Sequence, residues 1–375
     1  MTHKKVAILG GGLSGLYAAY LLEQQGSTDY LLLEARDTFG GRIQSFAPES
    51  SDASFDLGPA WFWPDIQPQF AQLIMDLGLE SFNQYDTGNM LIERSRSKPP
   101  NEITGFVSSP VSMRLKQGME SLIKVLRKRL KNPHIYVSKQ VTMLERQQDH
   151  VVIHYRDSHD KQLQSVTVDH VLLAIPPRLV IDSIRFTPEL PSELTKHWQN
   201  TATWMAPHAK YIAVYEHPFW REQGLSGSAR SLAGPMVEIH DASQQGNESN
   251  QAALFGFIGI PATQRKEIGE LQMKAYCQQQ LVRLFGEQAN NLKADVIKDW
   301  AQDGYTATQQ DANDANDAIH SLASLCYAEH GPWQHKLTGI ASEWAVEFPG
   351  YLAGAIEAAE LGVSRYLALK ALTGT

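Results

Sequence analysis

Three glycines near the N-terminus, Gly10, Gly12 and Gly15, have the spacing of a turn that binds phosphate groups. Gly10 permits a tight turn, Gly12 lets the backbone approach a pyrophosphate, and Gly15 lets a following helix pack closely on a sheet. A helix that begins here directs unpaired backbone N–H groups, including those of Leu13 and Ser14, at the phosphates. These residue types therefore predict recognition of a dinucleotide.

The acidic residue Glu34 supports the same prediction, because it ends a second apolar run at residues 30–33. A carboxylate at that position accepts hydrogen bonds from both hydroxyls of an adenosine ribose, and its charge disfavours a 2′-phosphate. A glycine turn on its own could do no more than reverse the chain. With a strand before it, a helix after it and the acid beyond, dinucleotide binding is the stronger interpretation.

These residues need a strand, a helix and a second strand to hold them in place. Residues 6–9 are all apolar, which is typical of a strand buried on both faces. A helix is predicted over residues 13–25, ended by Gly26. Further along, residues 267–285 are predicted to form one amphipathic helix, whereas residues 81–112 are polar and poorly patterned.

Composition limits the class of protein. At 375 residues and 43% hydrophobic, the chain can bury a large core and is long enough for about two domains. The net charge of −8 argues against a nucleic-acid partner or an anionic membrane surface, and it is compatible with a cationic substrate or with simple solubility. We expect no membrane span, because no uncharged apolar run is long enough.

The cysteines and histidines exclude two further classes of site. Cys277 and Cys326 are too few for a disulfide framework and lack metal-ligand spacing, which favours a reducing compartment such as the cytoplasm. The 13 histidines form no HExxH motif, and no G-x-S-x-G sequence occurs. We therefore predict no metal site and no serine hydrolase.

The residues after the acid add a second group of matches. Ala35 and Arg36 come first, followed shortly by Gly40, Gly41 and Arg42. The two glycines permit backbone conformations closed to other residues, and the planar guanidinium of Arg42 suits a diphosphate oxygen. The order GxGxxG, E-A-R and G-G-R resembles the N-terminal FAD fingerprint of the flavin-containing amine oxidase family. The resemblance implies FAD as the cofactor, with these five residues in contact with it.

Later segments also resemble motifs of this family, so the resemblance covers nearly the whole chain apart from residues 85–117. They are residues 55–63, 137–141, 168–177, 209–227, 299–306 and 339–357. By pattern alone these segments are strands, turns and an amphipathic helix. The resemblance implies cofactor contacts for Gly58, Pro59, Ala60, Trp61, Val141, Ala174, Pro176, Trp300, Tyr305, Ser342, Glu343, Gly350, Tyr351 and Leu352. Trp63, in contrast, is expected to pack in the core.

Lys210 and Tyr351 are the two candidate catalytic residues. Alternation along the strand at residues 209–215 places Lys210 on the same face as Ile212 and Val214. An ammonium on an apolar face must find a partner or shift its pKa, unless the lysine lies on an edge strand in solvent. The family resemblance implies that Lys210 holds a water at flavin N5. It also implies that Tyr351 is an aromatic residue of a cage around the amine, to which Trp344 or Trp204 could add.

The sequence departs from the family pattern at two places. Gln309 and Gln310 stand where covalent members have a flavin-bonding cysteine and an aromatic cage residue, and Cys326 lies too far along to replace that cysteine. The FAD is therefore expected to be noncovalent, and the polar tract at residues 311–319 is expected to be a loop. The shortened region at residues 81–117 implies either an open cavity or one completed by a second subunit.

Together these observations predict a two-domain α/β protein. A discontinuous Rossmann-type FAD domain of the glutathione-reductase-like class is expected at residues 1–80, 118–185 and 301–375. A mixed sheet-plus-helix substrate domain is expected at residues 81–117 and 186–300. The implied reaction transfers a hydride from the carbon next to an amine nitrogen to flavin N5, with dioxygen reoxidising the flavin to give peroxide. The alternatives are a flavoprotein oxidising a nicotinamide or a polyene, and a flavin-binding protein without amine oxidase activity.

Overall fold

A computed structural model describes residues 3–49, 53–105, 107–245, 251–313 and 325–373. The strands are β1 (His3–Leu9), β2 (Tyr30–Leu33), β3 (Ser45–Phe46), β4 (Phe55–Asp56), β5 (Ser81–Asn83), β6 (Asn89–Glu93), β7 (Asn101–Thr104), β8 (Met113–Leu115), β9 (Ile135–Tyr136), β10 (Lys139–Gln147), β11 (His150–Asp157), β12 (Leu163–Leu173), β13 (Arg185–Thr187), β14 (Ala209–Tyr215), β15 (Leu225–Ser231), β16 (Met236–Asp241), β17 (Ala252–Ile258), β18 (Ala294–Asp299) and β19 (Leu337–Gly339). The helices are α1 (Leu13–Gln24), α2 (Pro68–Asp76), α3 (Glu120–Arg129), α4 (Pro177–Ser183), α5 (Ser192–Asn200), α6 (Phe219–Glu222), α7 (Ala262–Ile268), α8 (Glu270–Phe285), α9 (Gln309–Asn313) and α10 (Leu352–Thr373).

The first sheet carries the N-terminal strand in its interior. Its order is β13-β10-β11-β12-β1-β2-β9, with β19 beside β12, and β1 runs parallel to both β12 and β2. Alternate residues of β1 enter two different cores. Val6 and Ile8 pack with α1 and α10, whereas Ala7 and Leu9 pack on the opposite face. This double burial explains why residues 6–9 of the strand are all apolar.

The second sheet has the order β18-β14-β17-β16-β15-β6-β7. One face of its strand β14, which includes Tyr211, packs against α8. The other face, which carries Ile212 and Val214, packs with Phe55 and Phe255. Because side chains alternate along a strand, Lys210 lies on this second face, as the sequence predicted.

The structure departs from the sequence-based expectations at a helix start and in a poorly patterned region. The helix expected at residues 267–285 is α8, which ends as predicted but begins at Glu270, because Gly269 adopts a φ of +80° that separates it from α7. The poorly patterned region at residues 81–112 contains β5, β6 and β7, of which β6 and β7 extend the second sheet as a hairpin. All four residues of β7 are exposed, so no alternation of apolar residues marked it.

The domain boundaries given above stay a prediction. Of the described strands, β6, β7 and β14 to β18 join the second sheet, and β1, β2, β9 to β13 and β19 join the first. Strand β13 crosses the predicted boundary at residue 185 and pairs with β10 of the first sheet. Among the described residues, no helix has both the length and the apolar character needed to cross a bilayer.

Candidate active site

A cavity of about 360 Å³ is lined by residues from both sheets. Most of the site residues that the sequence predicted contribute to the lining of this cavity. They are Gly10, Gly12, Leu13, Ser14, Glu34, Ala35, Arg36, Gly40, Gly41, Arg42, Gly58, Pro59, Ala60, Trp61, Val141, Ala174, Pro176, Lys210, Trp300, Tyr305, Ser342, Gly350, Tyr351 and Leu352. Gly15 and Glu343 do not line it. The phosphate turn and the candidate catalytic residues therefore face one continuous space.

The glycine turn at one end of the cavity fits a pyrophosphate. Gly10 has a φ of +105°, and a Cβ there would lie 2.6 Å from the carbonyl oxygen of Ala174. A Cβ at Gly12 would meet only the backbones of Gly40 and Gly41, at 3.7 Å or more. Helix α1 begins directly after this turn without a side-chain cap, so its first N–H groups are available to an anion.

Gly15 has a structural part in the same turn. A Cβ at this position would lie 1.9 Å from the carbonyl oxygen of Gly10, so only glycine allows α1 to lie this close to the turn. Gly15 does not line the cavity, and its expected contact with the cofactor stays a prediction. Close packing of helix and strand explains why glycine stands here.

The carboxylate of Glu34 is held at the cavity by backbone donors. Its Oε2 accepts from Gly11 N at 2.6 Å, and its Oε1 accepts from Arg36 N at 2.8 Å. Burial raises the pKa of Glu34, and these hydrogen bonds oppose the rise. Each carboxylate oxygen can accept more than one hydrogen bond, so the group can still bind a ribose hydroxyl.

Arg42 is fixed by a buried acid. Its Nη1 and Nη2 donate to Glu343 Oε1 and Oε2 at 2.7 and 3.1 Å, and Nη2 also donates to Ser342 Oγ at 3.1 Å. The side chain of Glu343 is only 2% exposed, so the acid orients the guanidinium from behind the wall. Glu343, for which a cofactor contact was expected, does not line the cavity, and it holds Arg42, which does.

A second arginine is oriented in a similar way. Arg36 makes two hydrogen bonds to Asp303, at 3.0 and 2.8 Å, and its guanidinium lies 5.3 Å from the centre of the Tyr305 ring. Lys298 donates to the same carboxylate at 2.7 Å. These two hydrogen-bonded cations lower the pKa of Asp303, although burial opposes this effect.

Lys210 is 3% exposed, which excludes the alternative of an edge-strand lysine in solvent. Its Nζ donates to the backbone oxygens of Asp56 and Gly58 at 3.0 and 2.6 Å and lies 4.4 Å from the centre of the Phe255 ring. Burial lowers its pKa to about 7, and the nearby Asp56 carboxylate opposes the change. An ammonium has three donors, so one position on Nζ is left for a water or a substrate.

The aromatic residues at this end form one wall. The rings of Trp204 and Tyr351 have centroids 6.2 Å apart at 33°, and Trp63 meets Tyr351 edge-on at 6.1 Å. Trp63 lines the cavity, so its expected place in the core is wrong. Trp344 is 3% exposed, packs against Trp198 and does not line the cavity, so only Trp204 of the two suggested partners is at the site.

Trp61 forms a separate part of the lining. Its indole Nε1 donates to Gln84 Oε1 at 2.7 Å, and its ring lies 4.9 Å from that of His240 and 5.3 Å from that of Phe255. Gln84 in turn donates to the backbone oxygen of Asp241 at 2.8 Å. The shortened region at residues 81–117 therefore supplies a contact that fixes this side chain.

Sequence reasoning missed His208 and Met205, which also line the cavity. His208 Nδ1 is buried without a hydrogen-bond partner of good geometry. Burial, aided by the charge of Arg265, lowers the pKa of His208. The available signal was its position two residues before Lys210, which predicts that both side chains share one face.

The segment that follows residues 299–306 differs in secondary structure from what the sequence predicted. Gln309 and Gln310 begin α9 and do not line the cavity. Asp311, expected in a loop, is in this helix, 1% exposed and paired with Arg178. The rest of the polar tract, from residue 314, lies outside the described residues. Within the described ranges, no group of three or more His, Cys, Asp or Glu could hold a metal ion.

Comparisons with known proteins agree with this geometry. Residues 83–365 match the family model described as flavin containing amine oxidoreductase, and residues 8–77 match an NAD(P)-binding Rossmann-like domain. A probable flavin-containing monoamine oxidase A of Dictyostelium discoideum is 22% identical over 94% of this chain and 95% of its own length. A putrescine oxidase of Kocuria rosea is 25% identical over 56% of this chain and 42% of its own length.

Solved structures show the same fold. A wild-type putrescine oxidase bound to putrescine superposes with a TM-score of 0.78 at 19% identity, covering 98% of this chain and 99% of that one. Cyclohexylamine oxidase from Brevibacterium oxydans IH-35A superposes with a TM-score of 0.77 at 17% identity and the same coverage.

Proposed function

Because this chain belongs to the flavin containing amine oxidoreductase family, its cofactor is FAD and its reaction is the oxidation of amines, and we propose that both occur in the cavity described above. The observation that carries the proposal is the continuity of that cavity. It joins the glycine turn at Gly12 to the buried cation Lys210 and the aromatic ring of Tyr351. The same cavity can therefore hold both the nucleotide part and the reacting ring of the cofactor.

At the nucleotide end, the chain binds FAD with groups that are already in position. The N-terminus of α1 and the guanidinium of Arg42 hold the diphosphate, since both offer donors to an anion. The carboxylate of Glu34 holds the adenosine ribose. The start of α10 at Leu352, which lines the cavity, would offer backbone N–H groups to the negative charge that gathers on a reduced flavin.

At the other end, the chain binds and orients the amine. The chemistry that bound FAD supplies is acceptance of one hydride equivalent, a proton with two electrons, from the carbon next to the amine nitrogen, with delivery of those two electrons to dioxygen. Lys210, held by two carbonyls, orders a water through its remaining position on Nζ. The wall of Tyr351 and Trp204 disfavours the charged ammonium and so favours the free amine, which reacts.

The FAD is held without a covalent bond. Gln309 carries no thiol, and the two cysteines of the chain lie elsewhere. Cys277 is buried in the core of the second sheet, Cys326 packs against the core of the first, and neither lines the cavity. Both are free thiols, which supports a cytoplasmic location.

An anaerobic spectral screen of the FAD-loaded protein tests the proposal. Amines of different size are added without oxygen, and loss of the yellow flavin band reports reduction. We expect monoamines with an apolar body to bleach the flavin and air to restore it. Bleaching by a reduced pyridine nucleotide or by a polyene, but by no amine, would show a different substrate. Bound FAD that nothing in the panel reduces would show a binding protein without this activity.

A further inference from the structure

We infer that Trp204 is the surface against which the apolar body of the substrate binds, and that Asp311 is the residue that positions it. The inference rests on the proposed function, because it concerns the substrate end of the same cavity. Trp204 lines that cavity beside Tyr351. Gln310, by contrast, lies in α9 and does not line it.

The ring geometry shows that Trp204 and Tyr351 act as one surface. Their centroids are 6.2 Å apart and their planes are tilted by 33°. A molecule between two rings needs about 7 Å, because carbon atoms pack at about 3.5 Å on each side. The gap is too small, so a substrate cannot enter between them. It must lie across both, and the edge of Trp63 against Tyr351 extends this wall.

The close approach of Trp204 depends on a glycine. Gly350 has a φ of +83°, and a Cβ there would lie 2.4 Å from Trp204 Cβ. The backbone oxygen of Trp204 also accepts from Arg42 Nη1 at 3.4 Å, which joins the wall to the nucleotide end. The following residue, Met205, has a φ of +60°. Such a conformation is unfavourable for methionine and persists only where the surroundings fix it.

Asp311 holds the segment that contains Trp204 and Met205 in this conformation. Its Oδ1 accepts from Thr203 N at 3.1 Å, directly before Trp204, and from Arg178 Nη1 at 2.8 Å. Arg178 Nε donates to the backbone oxygen of Gln199 at 2.8 Å. The side chains of Asp311 and Arg178 are 1% and 7% exposed. One buried ion pair therefore holds both the end of α5 and the residue that precedes Trp204.

Equilibrium binding of cumylamine to the FAD-loaded protein tests the inference. Cumylamine is an arylalkylamine without hydrogen on the carbon next to nitrogen, so it binds without being oxidised, and the flavin spectrum reports its Kd. We expect Trp204→Ala to raise the Kd about tenfold, whereas Trp204→Phe stays within about twofold of wild type. Tyr276→Ala, which removes an exposed aromatic residue from α8, is the matched control and leaves the Kd unchanged.

The positioning part is tested by a double-mutant cycle. If Asp311 acts through Trp204, Asp311→Asn raises the Kd in the wild-type background but adds nothing to Trp204→Ala. Thermal unfolding and FAD content show whether each variant is folded. If Asp311→Asn does not fold, Asp311→Glu, which keeps the charge opposite Arg178, takes its place in the cycle. Additive effects on the Kd would overturn the role of Asp311.

Two outcomes separate this inference from the proposed function. If arylalkylamines reduce the flavin but Trp204→Ala binds cumylamine as tightly as wild type, the assignment of Trp204 is wrong and the amine oxidase function stands. If no amine reduces the flavin of the wild-type protein, the proposed function itself fails.

Discussion

Replacement of Lys210 by methionine should slow reoxidation of the reduced flavin while FAD stays bound. Methionine has a similar length and no charge, and the residue lies on the inner face of β14 among Phe255 and Phe257. The substitution removes the two hydrogen bonds to the Asp56 and Gly58 carbonyls and the one remaining donor position. The glycine turn and Glu34 are unaffected, so the nucleotide should still bind.

The magnitude follows from the burial of the cation. The pKa of Lys210 falls from 10.5 to about 7, which disfavours the ammonium by about 5 kcal/mol. Near neutral pH the charged and the neutral form of Lys210 are therefore both populated. A preorganised donor in a water-poor site contributes about 100-fold or more in rate where negative charge develops. We expect Lys210→Met to slow reoxidation by about that factor.

The pH dependence has a definite sign. As pH rises through about 7, the wild-type ammonium is lost, so reoxidation should slow over that range and the variant should show no such change. The folded-state pKa lies below that of the unfolded chain, so the unfolded protein binds more protons between about pH 7 and 10.5. The contribution of this group to the free energy of unfolding therefore rises over that interval, and the variant should lack the rise.

The assay is rapid mixing of the anaerobically reduced protein with oxygenated buffer, followed by the return of flavin absorbance. Lys116→Met, at a surface lysine paired with Glu80, controls for the loss of one charge. Wild-type reoxidation rates in Lys210→Met at every pH would remove Lys210 from the mechanism.

Three further predictions concern the cofactor end and the wall. Glu34→Gln should weaken FAD binding about tenfold or more in a titration of apoprotein, because a hydrogen bond to a charged acceptor is worth about 1.5–3 kcal/mol; unchanged affinity would exclude the ribose role. Gly350→Ala should lower the free energy of unfolding by about 1–3 kcal/mol in denaturant titration, since its Cβ would collide with Trp204, and a neutral result would contradict the observed packing. Denaturation of the holoprotein should release all FAD into the filtrate, because Gln309 offers no thiol, whereas yellow colour retained on the precipitated chain would show a covalent bond.

The features that could be predicted from the sequence are those that residues close together in the chain determine. The turn at Gly12 and the strand and helix beside it were predictable, because spacing and burial within about thirty residues determine them. The face of Lys210 was predictable because alternation along one strand fixes it. The same reasoning could have identified His208.

The features that could not be predicted depend on contacts between residues far apart in the chain. The pairing of Asp311 with Arg178 joins residues far apart in sequence, and nothing near either residue marks it. Trp63 and Trp344 were misplaced for the same reason, because an aromatic residue fits a core and a cavity wall equally well. Only the packed structure decides which of them faces the open space.

Retention of FAD by the purified chain tests the central claim most directly. The protein is incubated with FAD, desalted, and its flavin absorbance compared with its concentration. The structure predicts a yellow protein that keeps about one FAD per chain, since a single cavity carries the phosphate turn, the ribose acid and the flavin-edge helix. A colourless protein after desalting, with all FAD in the small-molecule fraction, would contradict it.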